Sequence, residues 1–170
     1  MTAHPPEPIH AQTHTLRPAT PADLPVIVSL IRELAAFEHL EHLVVTTPDT
    51  LRPHLFGERP VAEAVVGEAD GAVVAFALFF TNFSTFLGQP GLYLEDLYVQ
   101  PAHRGQGLGK ALLKQLGALA MARGCGRFEW SVLDWNENAI RFYEKMGAVV
   151  MPEWRICRVA GAALPALQTR

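Results

Sequence analysis

Apolar residues in the first third of the chain recur at helical spacing. Leu24, Ile27, Leu30, Ile31 and Leu34 mark one stripe, which predicts an amphipathic helix laid against a core. Its start is signalled by Thr20-Pro21-Ala22-Asp23, with a capping hydroxyl, a proline at the first helical position and an acid at the positive end of the helix dipole. The pattern turns polar at Phe37, Glu38, His39 and Glu41, where this helix ends. Thr47-Pro48 opens a second, shorter helix toward Phe56 by the same logic.

Beyond residue 60 the period shortens. Segments 61–68 and 72–81 read as strands joined by the turn pair Asp70-Gly71, and 14–17 reads as a short strand before the first helix. The run from Val73 to Phe80 is apolar without alternation, so its strand is expected to be covered on both faces. A polar Gly/Pro-containing loop, 82–90, leads to a strand over 92–99 that Pro101 ends. An amphipathic helix over 107–123 closes at Gly124, and a strand over 128–133 follows. A helix over 136–146 is capped by Gly147, and a last strand is expected over 154–159. This order predicts an α/β (mixed α+β) domain, a mixed sheet with helices on both faces.

The 170 residues suffice for one core, and a single domain over 14–170 is expected after a Pro/His-rich tail, 1–13, that lacks the apolar stretch of a signal peptide. In that reading His4, His10 and His14 are solvated, and His39, His42 and His103 lie at the surface. A net charge of −3 provides no basic stripe for nucleic acid, and no apolar run approaches membrane-spanning length. Cys125 and Cys157, with no partner at metal-ligand spacing, are expected as small buried side chains in a reducing compartment. No metal and a cytoplasmic home are therefore expected, and Trp135, beside a strand end, is expected in the core.

The strongest chemical signal is the stretch from Tyr93 to Lys110, where a strand runs into Arg104-Gly105-Gln106-Gly107-Leu108-Gly109 and that loop opens a helix. Glycines there let a ligand approach the backbone, and free N–H groups at a helix start favour an anion, usually phosphate. Arg104 and Lys110 add positive charge. Two familiar phosphate loops fail on spacing. Arg104 stands where a P-loop needs its first glycine, and Ala111 follows Lys110 where it needs Ser or Thr. Lys110 also stands at the third glycine of the dinucleotide fingerprint.

The loop matches Gln/Arg-x-x-Gly-x-Gly/Ala, and on this motif the chain resembles the GCN5-related N-acetyltransferases. The segment from Asn136 through Ala139 and Tyr143 to Gly147 is similar to that family's second signature, with Ala148 where most members carry Phe. Within the family, Leu16-Arg17-Pro18-Ala19-Thr20, Glu33-Leu34-Ala35-Ala36-Phe37-Glu38 and Tyr93-Leu94-Glu95-Asp96 resemble the spermidine/spermine and thialysine N-acetyltransferase group.

The resemblance implies a mostly antiparallel sheet of six to seven strands, splayed where acetyl-CoA binds. Leu97, Tyr98 and Val99 would pair with the pantetheine arm, and Arg104, Gly105, Gln106, Gly107, Leu108, Gly109 and Lys110 would hold the pyrophosphate. Asn136 and Tyr143 would also meet the cofactor. Tyr143 matches the family's general acid. Glu95 matches a base acting through water, or a carboxylate that holds the cationic amine; an acid in so apolar a strand is costly unless it faces a wet cleft. Asp96, on the opposite face of an alternating strand, is the weaker candidate. Phe37 and Glu38 fall at the group's substrate-facing helix end.

The implied reaction is acetylation of a primary amine on a small molecule, such as a diamine, a polyamine or a lysine-like amino acid, by a homodimer. The 82–90 loop carries no carboxylate, which argues against a long, multiply charged polyamine. A protein acetyltransferase, another acyl transferase and a non-catalytic acyl-CoA-binding domain remain as alternatives.

Overall fold

The computed structural model describes residues 14–169, so the expected tail lies outside the described residues. The chain divides into two compact units, one running through Ser131 and one beginning at Val132.

The first unit is built on five strands in the order β1 (His14–Pro18), β2 (Glu63–Ala69), β3 (Ala72–Ser84), β4 (Gln89–Val99) and β5 (Arg127–Trp130). Neighbouring pairs are antiparallel except β4 with β5, which are parallel. The sheet is thus mixed and mostly antiparallel, as expected, with fewer strands than the six to seven anticipated. Asp70-Gly71 makes the β2–β3 turn with both residues at positive φ.

Helix α1 (Leu24–Phe37) follows a short 3-10 turn, Pro21–Asp23, and α2 (Pro48–Phe56) is capped by Thr47, whose Oγ1 accepts from the Thr50 N–H at 3.2 Å. One face of the sheet packs Val66, Phe76, Leu78 and Tyr98 against Leu24, Ile27 and Leu30 of α1 and Leu55 of α2. Helix α3 (Leu108–Ala122) covers the other face, where a Cβ on Gly67 would come within 3.0 Å of Leu108 Cδ1 and 3.2 Å of the Ala75 Cβ. The unbroken burial of Val74 through Phe79 in β3 follows from this sandwich. Arg17 ties β1 to the start of α1. Its guanidinium donates to both Asp23 oxygens, at 2.7 and 2.9 Å, and to Glu68 Oε1 at 2.8 Å. Those bonds hold the buried Asp23 carboxyl well below the usual range.

Two expectations fail within this unit. The 82–90 segment is mostly strand, because β3 and β4 continue as a long hairpin closed by a tight turn at residues 85–88, with Ser84 paired to Gln89. Strict alternation along β4 also fails. Leu78 pairs with Asp96 and Phe79 with Leu94, so Glu95 is an extra residue in a β-bulge.

The second unit carries α4 (Glu137–Lys145) and a short α5 (Ala163–Ala166). Gly147, at φ 94°, terminates α4 as its spacing predicts. The strand expected over 154–159 does not form. No strand pairs with it among the described residues, and Trp154 and Ile156 stand exposed. Trp135 is likewise exposed rather than in the core, and Cys157 is exposed while Cys125 is half-buried.

Candidate active site

The bulge at Glu95 decides what β4 presents. Before it, Leu94 pairs with Phe79 on the α3 side; after it, Asp96 pairs with Leu78 and Tyr98 with Phe76, on the side covered by α1. A strand without the bulge would place Leu94, Asp96 and Tyr98 on one face. The extra residue separates Leu94 from Asp96, which stays with Tyr98 on the α1 side and within electrostatic reach of Glu38. Alternation holds from Asp96 to Tyr98 and is broken only between Leu94 and Asp96.

Three carboxylates therefore gather. Glu95 is exposed on the bulge, Asp96 is half-buried, and Glu38 is half-buried just past the last turn of α1. Burial pushes the Asp96 carboxyl up to about 6, and the charges of Glu95 and Glu38 push in the same direction. Glu38 is raised as well, by burial. Carboxyls crowded this way favour a proton or a cation among them. Phe37, 40% exposed, forms the rim beside Glu38.

From Glu95 onward the sheet opens. Pairing with β5 covers Gly91 through Leu94 and stops there, while β3 stays paired with β4 to Val99. Along its β5-facing edge, the stretch from Glu95 to Val99 has no strand beside it among the described residues. This is the splay that the resemblance implies, and Leu97, Tyr98 and Val99 lie on it.

The chain then turns through a 3-10 segment, Pro101–His103, into the glycine loop and α3. Gly105 and Gly107 stand at φ 75° and 89°, left-handed conformations that side chains disfavour, and a Cβ on either would meet nothing within 4 Å. The space over the loop is open, and the first amides of the 15-residue α3 point toward it. Leu108, 1% exposed, anchors the helix start in the core, while Lys110 is exposed. These residues fit a pyrophosphate: a concave backbone cradle at a helix N-terminus with a cation nearby. The Arg104 guanidinium is turned elsewhere. Its Nε donates to the Val99 carbonyl at 2.8 Å, and it lies over the rings of Phe37 and Tyr98. Gln106 Nε2 donates to the Ala102 carbonyl at 3.3 Å.

A family model for the acetyltransferase (GNAT) family matches residues 29–148, which spans both the glycine loop and the Asn136 to Gly147 segment. The chain belongs to this family. Among similar proteins, mouse thialysine N-epsilon-acetyltransferase is 39% identical over 91% of this chain and 97% of its own length. The L-ornithine N5-acetyltransferase NATA1 of Arabidopsis thaliana is 36% identical over 93% of this chain and 89% of its own. An integron cassette protein from V. cholerae superposes with a TM-score of 0.76 at 23% identity, covering 92% of this chain and 98% of its own, which supports the fold. As a GNAT member the chain is an acetyltransferase, and the diamine and thialysine group is where its relatives fall.

Asn136 and Tyr143, two residues of the GNAT signature, both lie in the second unit. Asn136 caps α4, its Oδ1 accepting from the Ala139 N–H at 3.2 Å. Tyr143 is half-buried on the same helix, its ring 5.2 Å from that of Phe142. Among the described residues, no cluster of His, Cys, Asp and Glu could hold a metal ion.

Beyond Asp96, the residue that sequence reasoning passed over is Glu33. Its carboxylate accepts from the Tyr98 hydroxyl at 3.2 Å and from Gln100 Nε2 at 2.9 Å. Partners 65 and 67 positions away leave no local signal; only the fold brings them together.

Proposed function

We propose that the protein transfers the acetyl group of acetyl-CoA to a primary amine of a small molecule, by direct attack with both substrates bound. The observation that carries this reading is that Glu95 and Asp96, with the charge of Glu38 from the end of α1 acting on Asp96, lie on the strand that runs into the open glycine cradle. One end suits an anion, the other a cation.

Acetyl-CoA supplies an activated thioester carbonyl. The amides of Gly105 through Gly109 hold its pyrophosphate, with Lys110 as a counter-charge. The free edge of β4 at Leu97, Tyr98 and Val99 takes up the pantetheine arm and stabilises the negative charge that develops on the carbonyl oxygen. Asn136 contacts the same arm.

An alkyl ammonium has an ordinary pKa near 10 and must lose a proton before it can attack. Glu95 accepts that proton through water and, with Glu38 and Asp96, holds the cationic substrate. A carboxyl near 6, as at Asp96, is ionised at neutral pH and still basic enough to share in this step. Phe37 forms an aromatic wall at the rim. The nitrogen bonds to the carbonyl carbon as the carbon–sulfur bond breaks, Tyr143 protonates the departing thiolate, and the second proton shed by the acylated nitrogen returns through solvent to Tyr143. That last assignment rests on the family signature.

The substrates that name two relatives, thialysine and L-ornithine, carry a short aliphatic amine, whose positive charge these carboxylates would meet. The turn at 85–88 offers no further carboxylate for a long polyamine. The resembled group also implies a homodimer working in the cytoplasm, which sedimentation of the pure protein checks for assembly. Calorimetric titration with acetyl-CoA tests the core of the reading: saturable binding at tens of micromolar or tighter is expected, and no binding there rejects it.

A further inference from the structure

The last turn of α1 and the end of β4 are tied together twice, and neither tie takes part in the chemistry proposed above. In the first, Glu33 of α1 receives the Tyr98 hydroxyl on Oε2 at 3.2 Å and the Gln100 amide on Oε1 at 2.9 Å. In the second, Arg104 reaches back from the first position of the glycine loop. Its Nε bonds to the Val99 carbonyl, and its guanidinium carbon lies 5.2 Å from the centre of the Phe37 ring and 5.3 Å from that of Tyr98. Tyr98 belongs to both ties, because Glu33 takes its hydroxyl and Arg104 covers its ring. Burial and the Glu33 charge push the Tyr98 hydroxyl pKa up, so it remains a donor to Glu33.

The consequence lies at Phe37 and Glu38. Phe37 ends α1 and Glu38 follows it, so a side chain rooted in the cofactor loop packs against Phe37, next in the chain to a carboxylate proposed to receive the amine. Guanidinium-to-ring packing depends on a planar group held at a fixed place. Val99 and Tyr98 supply that fixed place, and Glu33 in turn fixes Tyr98 to α1.

We infer that Glu33 is a positioning residue which, through Tyr98 and Arg104, couples the glycine loop to the amine-facing end of α1, so that filling the loop orders Phe37 and Glu38. The inference rests on the acetyl-CoA reading above. Coupling of this kind is reciprocal: an amine seated at Glu38 tightens the cofactor by the same factor as the cofactor tightens the amine.

Hydrogen exchange followed by mass spectrometry tests this without a known amine. The full-length wild type, Glu33→Ala and Glu33→Leu are each compared with and without coenzyme A. In the wild type, coenzyme A is expected to slow exchange about fivefold or more both at the glycine loop and in the last turn of α1. In Glu33→Ala the loop remains protected at saturating coenzyme A, while the protection at α1 disappears. Should Glu33→Ala fail to fold, Glu33→Leu decides by the same comparison, since it fills a similar volume and offers neither Tyr98 nor Gln100 an acceptor. Protection of the loop alone in the wild type overturns the inference, as does full protection at α1 in the variants. Protection at neither segment instead rejects the coenzyme A site itself.

Discussion

Asp96→Asn separates the stability and the activity consequences of the carboxylate gathering. The native carboxyl sits at about 6 against an ordinary 3.8, through burial first and then the charges of Glu95 and Glu38. At about 1.4 kcal/mol per pH unit that displacement corresponds to about 3 kcal/mol. Relaxation and screening around a half-buried group bring the expected effect to about 1–2 kcal/mol. The sign follows from which state holds the proton. Below about pH 4 Asp96 is protonated in the folded and the unfolded chain alike, and its charge costs nothing. Between about pH 4 and 6 the unfolded chain has released the proton while the folded chain keeps it, so stability falls as pH rises; above about pH 7 the full penalty is present. Asparagine never carries that charge. Urea denaturation should therefore find Asp96→Asn more stable than wild type by about 1–2 kcal/mol at pH 8, with the difference vanishing toward pH 4. The same variant should lose about tenfold or more in kcat/KM, together with the wild-type rise in rate through about pH 6. Equal stability at pH 8, or a difference independent of pH, refutes the argument.

Arg17→Ala strands the buried Asp23 carboxylate, 6% exposed, and should lower stability by about 3 kcal/mol at neutral pH. Chemical denaturation should show a smaller loss near pH 4, where Asp23 without its arginine takes up a proton. Gly107→Ala forces a side chain into φ 89°, which should cost about 1–2 kcal/mol and raise the KM for acetyl-CoA on the order of tenfold. Steady-state kinetics should place that effect on acetyl-CoA rather than on the amine. Tyr143→Phe should reduce kcat about a hundredfold with acetyl-CoA affinity intact by calorimetry; undiminished turnover means that another group protonates the thiolate.

Local signals in the sequence carried the elements that locate the site. The Thr20-Pro21 and Thr47-Pro48 starts, the Asp70-Gly71 turn, the unbroken apolar run of β3 and the Arg104 to Gly109 loop are each written within a few consecutive residues. The splay of the sheet followed from resemblance, and the end of β4–β5 pairing at Leu94 agrees with it. Misreadings arose where the answer depends on a partner strand. The Glu95 bulge is set by the register of β3 against β4, so alternation along one strand could not show that Leu94 and Asp96 part company. Composition made 82–90 a loop, yet β3 supplies pairing almost to its tip and leaves residues 85–88 as the turn. The apolar stretch at 154–159 has the composition of a strand but no neighbour to pair with among the described residues. Glu33 was invisible for the same reason, since its meaning comes from Tyr98 and Gln100.

The measurement that bears most directly on the central claim is acetyl transfer across a panel of acceptors. Pure protein and acetyl-CoA are incubated separately with thialysine, L-ornithine, spermidine and peptides bearing free N-termini or lysines, and thiol release is followed against acceptor-free controls. The account predicts saturable, amine-dependent release with the short aliphatic amines, weaker turnover with spermidine, and none above control with peptides. Transfer to peptides alone, or thiol release that no amine accelerates, would contradict it.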